Sequence, residues 1–303
     1  MTKKLPDLHG IITVLNTPFH NDDTIDLSAV ARNTERAIRA GVAGFLVPAM
    51  ASEVSTLSEY ERREVVRTVV QTSAGRVPVI GGCSAPTHAE RLSNLHLMGT
   101  LGCAAGLVAL PYEDDQHYAA QAAELAEAAP GFLMIQDWDA TGYGVPVSLI
   151  ARLFKKIPKL RAIKVEVVPA GRKYSEILEA TDGKLHVSGG WAVSQMIEGL
   201  DRGVHAFMPT GMHEIYTQIY TLYRNGHRDD AQELFYDLLP VLAFANQHLD
   251  ISIHFFKRLL HREGVFPTTR VRAPVLPFDA IHEQTADALI ERVFRITAGL
   301  QRQ

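Results

Sequence analysis

Leu160-Arg161-Ala162-Ile163-Lys164-Val165-Glu166-Val167-Val168 reads as a β-strand with a two-residue period and a lysine near its C-terminal end. Successive side chains on a strand alternate faces, so Ile163, Val165 and Val167 share one face and Ala162, Lys164, Glu166 and Val168 the other. An amine and a carboxylate therefore point the same way. Two readings fit the pair. It is a salt bridge at a strand end, or the amine is a nucleophile. A lysine in a confined apolar site loses proton affinity through desolvation, and a neutral amine attacks a carbonyl carbon to form a Schiff base. Which reading holds depends on where the strand lies.

The segment is the sixth of eight short apolar runs, each announced by Gly or Pro and followed by a loop and a longer stretch of helical period. The runs cover residues 10–16, 43–48, 77–81, 105–110, 132–136, 161–166, 185–188 and 206–208. Helices are expected at 27–40, 59–72, 88–101, 118–128, 147–155, 174–180, 193–202 and 214–225. Ser58 ahead of Glu61, and Pro146 ahead of the fifth helix, are helix-start signals. Eight alternations of strand and helix predict an α/β chain folded as a (β/α)8 TIM barrel rather than an open doubly wound sheet. No Gly-x-Gly-x-x-Gly follows the first run, so a dinucleotide fold lacks its main support. Residues 1–228 are expected to form the barrel. Residues 229–303 read as a C-terminal extension of three helices, 229–247, 251–262 and 280–300, packed on it. A Pro- and Arg-rich connector spans 267–277.

Composition removes several function classes. With 303 residues, 47% of them hydrophobic, the chain is long enough to bury a large core. A formal charge of −4 and the absence of any extended basic cluster argue against nucleic acid as a partner. No apolar run is long enough to span a bilayer and no signal-peptide pattern opens the chain, so a cytoplasmic protein is expected. Cys83 and Cys103 support neither a disulfide framework nor a cysteine-rich metal site and read as buried small hydrophobes. His254, His261 and His282 fall in the C-terminal helices, away from the expected site. No metal and no cofactor is called for.

In a TIM barrel the chemistry sits at the C-terminal ends of the strands. The residues there include Thr17, the 49–53 segment with Ala51, Ser52 and Glu53, and Pro111-Tyr112. Gln136 and Asp137, Lys164 and Glu166, Gly189-Gly190-Trp191, Met208 and Thr210-Gly211 complete the ring. Lys164 at that mouth is both shielded and open to a small carbonyl compound. The glycines after the seventh and eighth strands let substrate hydroxyls approach the backbone. No convergent Arg or Lys accompanies them, so a phosphorylated substrate is not inferred.

With these pieces in place, the chain resembles the class I aldolase superfamily of dihydrodipicolinate synthase and N-acetylneuraminate lyase over nearly its whole length. The resemblance rests on Gly10-Ile-Ile-Thr-Val-Leu-Asn-Thr-Pro-Phe19, on Ser52-Glu53 with Thr56-Leu57-Ser58, and on Arg76-Val-Pro-Val-Ile80. Leu110-Pro111-Tyr112 and Ile163-Lys164-Val-Glu166 complete it. It implies that Lys164 forms a Schiff base with a 2-keto acid and that the protein is a homotetramer. Two departures stand out. Where the family has Gly-Thr-Thr-Gly-Glu, this chain has Ala49-Met50-Ala51-Ser52-Glu53, and where the family has a proton-relaying tyrosine on strand five, it has Gln136-Asp137-Trp138. The Ser-Glu, Gln-Asp and Lys-x-Glu at these places resemble the branch that contains L-2-keto-3-deoxyarabonate dehydratase.

The resemblance implies a lyase that dehydrates a 2-keto-3-deoxy sugar acid through a Lys164 imine. Glu166 is the first choice for the base, with Glu53 and Asp137 as competing acid or base candidates. Thr17, Ala51, Ser52, Tyr112, Gln136, Gly189, Trp191, Met208 and Thr210 are expected against the substrate, Ser52 holding its carboxylate. Adjacent strand residues face opposite ways, so at most one of Gln136 and Asp137 enters the barrel. Glu53 has a structural alternative, accepting backbone N–H bonds near the start of the second helix. Tyr143 is a candidate replacement for the lost tyrosine. Retro-aldol cleavage to pyruvate and a non-catalytic binding or regulatory paralogue are the alternatives.

Overall fold

The computed structural model describes residues 6–300, apart from the side chains of Trp191 and Ala192. Eight strands close into a barrel in chain order: β1 Gly10–Val14, β2 Gly44–Val47, β3 Val79–Gly82, β4 Ala105–Ala109, β5 Phe132–Asp139, β6 Leu160–Val167, β7 His186–Gly189 and β8 Ala206–Phe207. β8 returns to pair in parallel with β1, and the (β/α)8 expectation is met. Residues of β1, β2, β7 and β8 are buried throughout. That is the pattern of parallel strands covered on both faces and explains why they read as continuous apolar runs.

The helices are α1 Leu27–Arg39, α2 Glu59–Ser73, α3 His88–Leu101, α4 Asp115–Ala128, α5 Val147–Lys156, α6 Ala170–Ala180, α7 Met196–Asp201 and α8 His213–Arg224. Beyond them lie α9 Arg228–Ala245, α10 Leu249–Arg262 and α11 Ala280–Leu300. Ser58 opens α2 as expected: its Oγ accepts from the Glu61 N–H at 3.3 Å, and the Glu61 carboxylate accepts from the Ser58 N–H at 2.8 Å. No helix among the described residues is long and apolar enough to cross a membrane.

Two boundaries differ from the sequence reading in ways that bear on the site. β5 runs on to Asp139 because its polar end continues the ladder with β6, Asp139 opposite Val167. α6 starts at Ala170, ahead of the expected Tyr174, and so includes Lys173. Pro169 sits just before its first turn with a fixed φ of −78°, which pre-organises a helix start that apolar period alone does not show.

By backbone contacts the chain sorts into two compact units, one comprising the chain through Ile12 with Pro78–Met208, the other Thr13–Val77 with the chain from Pro209 onward. In the second, α10 packs on a short helical turn, Met50–Ser52, and meets α1 in a cluster of Ala29, Leu260, Val265 and Phe266. Arg36 of α1 also pairs with Glu214 of α8 at 3.0 Å and with Glu263 at the end of α10.

Candidate active site

β6 sets the directions in the first unit. Lys164 lies opposite Gln136 of β5 and Ser188 of β7, while the next residue, Val165, lies opposite Asp137 and Gly189. Asp137 contacts Lys173, and a Cβ on Gly189 would come within 2.7 Å of the Tyr174 hydroxyl, both partners being on α6. The face of Val165, Asp137 and Gly189 is therefore the helix side. By strand alternation, Gln136, Lys164, Glu166 and Ser188 face the barrel interior.

On that inner face the expected pair is formed: Lys164 Nζ lies 3.0 Å from Glu166 Oε1, with the two side chains 8% and 9% exposed. The Gln136 side-chain amide donates to Glu166 Oε2. Each carboxylate oxygen thus has a donor, the lysine nitrogen on one and the amide on the other, and both side chains keep a little exposure. Gly190, next to the pair, is the glycine this packing requires. A Cβ there would fall 2.1 Å from Glu166 Oε1 and 2.5 Å from Lys164 Cε. The Gly189-Gly190 sequence was the only signal for it.

Asp137 does not join this group. It is buried on the helix side, its Oδ2 lying 2.5 Å from Lys173 Nζ and its Oδ1 accepting from the Val145 N–H at 2.9 Å. Burial pushes its carboxyl pKa upward, and the attraction of Lys173 opposes that shift. Tyr143 donates its hydroxyl to Glu176 Oε2 at 2.8 Å on the outer surface. It is thus engaged with α6.

In the second unit, Glu53 and its neighbours form a separate built cluster. Glu53 adopts a left-handed backbone, φ 58°, between two short helical turns. Its carboxylate pairs with Lys257 of α10 and accepts from the Arg272 N–H at 3.0 Å. The N–H donor is thus Arg272 of the connector, not the start of the second helix. Lys257 also donates to the Arg270 carbonyl at 2.7 Å and lies 4.2 Å from the centre of the Phe19 ring, and the Arg272 guanidinium lies 4.2 Å from the same centre. Burial pushes the Glu53 carboxyl up and draws the Lys257 ammonium down to about 8, each shift opposed by the partner's charge. Arg272 further donates to Thr56 O at 3.0 Å and to the Glu61 carboxylate, so the connector fastens this loop.

The remaining expected residues divide similarly. Ser52 donates its hydroxyl to Leu15 O at 2.5 Å and accepts from the Ala49 N–H, so the donor a substrate carboxylate needs is engaged within the loop. Thr17 donates to Ser52 O at 2.7 Å, and the Ala51 carbonyl accepts from Asn16 at 2.8 Å. Met208 is buried, its N–H on Gly189 O, and Thr210 bridges to Val14. Tyr112 is exposed and donates to Asp115. Trp191 begins a short helical turn, Trp191–Gln195, and its side chain lies outside the described residues. Lys173 and Lys257 were missed by sequence reasoning. For Lys257 a signal existed: it shares the helical stripe of Ile253, Phe256 and Leu260.

The chain has relatives among known proteins. The chain is 28% identical over 98% of its length to the 4-hydroxy-tetrahydrodipicolinate synthase of Xanthomonas campestris pv. campestris, covering 98% of that protein. It is 26% identical to the L-2-keto-3-deoxyarabonate dehydratase of Azospirillum brasilense, with 89% of each chain covered. The crystal structure of dihydrodipicolinate synthase from Rhodopseudomonas palustris shares the fold, with a TM-score of 0.87 at 23% identity over 96% of this chain and 100% of that one. Residues 7–293 match the Dihydrodipicolinate synthetase family, and the chain belongs to that family of Schiff-base, class I aldolase-like lyases.

Proposed function

We propose that this protein dehydrates a 2-keto-3-deoxy sugar acid, of the L-2-keto-3-deoxyarabonate kind, through an imine on Lys164. The observation that carries the reading is the Glu166 carboxylate held between Lys164 and Gln136 on the inner face of β5 and β6. Gln136 comes from the strand-five segment where the family resemblance expects a tyrosine relay, and Glu166 supplies a base in direct reach of the reacting nitrogen. The similarity to the Azospirillum brasilense dehydratase supports the same reading.

The chemistry runs on these groups. The neutral Lys164 amine attacks C2 of the keto acid, and water leaves as the C2–N double bond forms. The iminium withdraws electrons from C3, so the Glu166 carboxylate takes a C3 proton and an enamine results. The enamine pushes out the C4 hydroxyl, which departs as water on taking a proton from the Glu166 carboxyl. Hydrolysis of the unsaturated iminium then frees Lys164. The substrate has lost one water and no carbon.

The test is incubation with a panel of 2-keto-3-deoxy pentonates and hexonates, products being identified by mass and adducts trapped with borohydride. A product lighter by one water, with a reduced adduct on Lys164, is expected. Pyruvate with an aldehyde would replace dehydration by retro-aldol cleavage. No adduct with any of the acids would reduce the protein to a binding or regulatory role.

A further inference from the structure

We propose that the buried Asp137–Lys173 pair is a positioning device for Gln136, and through it for Glu166. Its catalytic consequence rests on the imine reading above, whereas its geometric part does not. Asp137 follows Gln136 directly on β5, and Lys173 stands in the first turn of α6 with its side chain fully buried. Two apolar residues of the same bulk would fill this space without desolvating two charges, so packing alone does not call for the pair.

What the pair adds is direction. The carboxylate ties three elements at one point: its own strand, the Lys173 amine of α6 and the Val145 N–H at the start of α5. Lys173 adds a fourth tie by donating to the Tyr143 carbonyl. The loop closes tightly on this centre, because Gly144 takes φ +64° and a Cβ there would sit 2.1 Å from Asp137 Oδ1. With Asp137 clamped toward the helices, strand alternation holds Gln136 toward the interior, where its amide reaches Glu166 Oε2.

The clamp is needed at this end of the strand. The β5–β6 ladder shifts register between Leu133 and Met134, so pairing at the start of β5 does not by itself fix Gln136 opposite Lys164. The Asp137 anchor lies beyond the irregularity and sets the register from the C-terminal side.

The test is the double variant Asp137→Leu/Lys173→Met, which removes both charges and keeps the bulk. The expected result is a crystal structure in which the Gln136 amide has left Glu166. With the dehydration substrate, kcat falls about tenfold or more while borohydride trapping of Lys164 changes by less than about twofold. Glu166→Gln, which removes the base itself, lowers kcat further while leaving the Asp137–Lys173 pair intact, and in the double variant KM changes by less than about twofold, a split between kcat and KM that general loss of rigidity does not produce. Retention of the Gln136–Glu166 contact, or an unchanged kcat, overturns the proposal. If the double variant does not fold, Gly144→Ala crowds Asp137 Oδ1 with both charges in place. It is expected to displace Gln136 in the same way, and an undisturbed contact overturns the proposal equally. A wild type that converts none of the acids counts against the dehydratase reading, while the variant's crystal structure still decides the positioning.

Discussion

Lys164 and Glu166 stand two residues apart on one strand, while Lys257 and Glu53 are brought together from an early loop and a late helix. Both are lysine–glutamate pairs in a protein interior. They differ in access: the side chains of the first pair are 8% and 9% exposed, those of the second 0% and 3%. They differ also in what surrounds them. Glu166 faces a neutral amide and a glycine without which the pair would not fit, whereas Glu53 has a backbone N–H on one oxygen and the lysine on the other, beside an aromatic ring faced by two cations. A partly open pair can admit a carbonyl carbon. A sealed one ties distant segments of the chain together, although a sequence offers the same two residue types in both cases.

The largest expected effect separates the two by chemistry. Lys164→Ala should lower turnover of any accepted keto acid by roughly 10⁴-fold or more and abolish borohydride trapping, because it removes the amine that forms the imine. Its melting temperature should stay close to that of the wild type, since the Glu166 carboxylate keeps the Gln136 donor and an opening to water. Trapping that survives in Lys164→Ala, located by peptide mass, would transfer the nucleophile to another lysine and end the comparison.

Next comes the stability counterpart. Lys257→Met leaves the Glu53 carboxylate buried without its cation and should cost about 3–5 kcal/mol in urea unfolding. Removing both charges in Lys257→Met/Glu53→Gln should recover most of that loss. An ion pair in so dry a site contributes little net stability, and the penalty comes from breaking one side of it. A single variant as stable as the wild type would show that the Glu53 loop is held by Arg272 alone.

The barrel was legible because parallel strands covered on both faces leave continuous apolar runs with Gly or Pro between them, and all eight runs proved to be strands. The inner pair was legible for a local reason: alternation on one strand places Lys164 beside Glu166 without knowledge of any other element. The partners of Glu53 and Asp137 were not legible in that way. Lys257 reaches Glu53 through the packing of α10 on the Met50–Ser52 turn; the apolar stripe of α10 announces that Lys257 is buried but not which distant segment it meets. Lys173 fell outside the expected helix because the start of α6 is set by Pro169, whose fixed φ leaves no apolar pattern. Ser52 was expected to hold the substrate carboxylate, and what its hydroxyl donates to is the carbonyl of Leu15, a residue no motif connects with it.

The smallest expected effect sharpens the description of the sealed pair and depends on sign. In the folded protein, burial holds the Glu53 pKa above its ordinary 4.5, and Lys257 is the principal group opposing that rise. In Lys257→Met the opposition is removed and the folded pKa rises further, with the unfolded chain near 4.5. Between those two values the native state binds more protons than the unfolded state, so stability is gained as pH falls through the folded pKa and is fully present below 4.5. The variant should therefore regain stability relative to wild type on acidification from pH 8 to about 5, by at most about 1.4 kcal/mol per pH unit within the window. Urea midpoints for the two proteins across that range would measure it. A gap that widens toward acid would mean that the orphaned carboxylate keeps its charge, through the Arg272 N–H or through water entering the site, and that this pair is less sealed than its geometry implies.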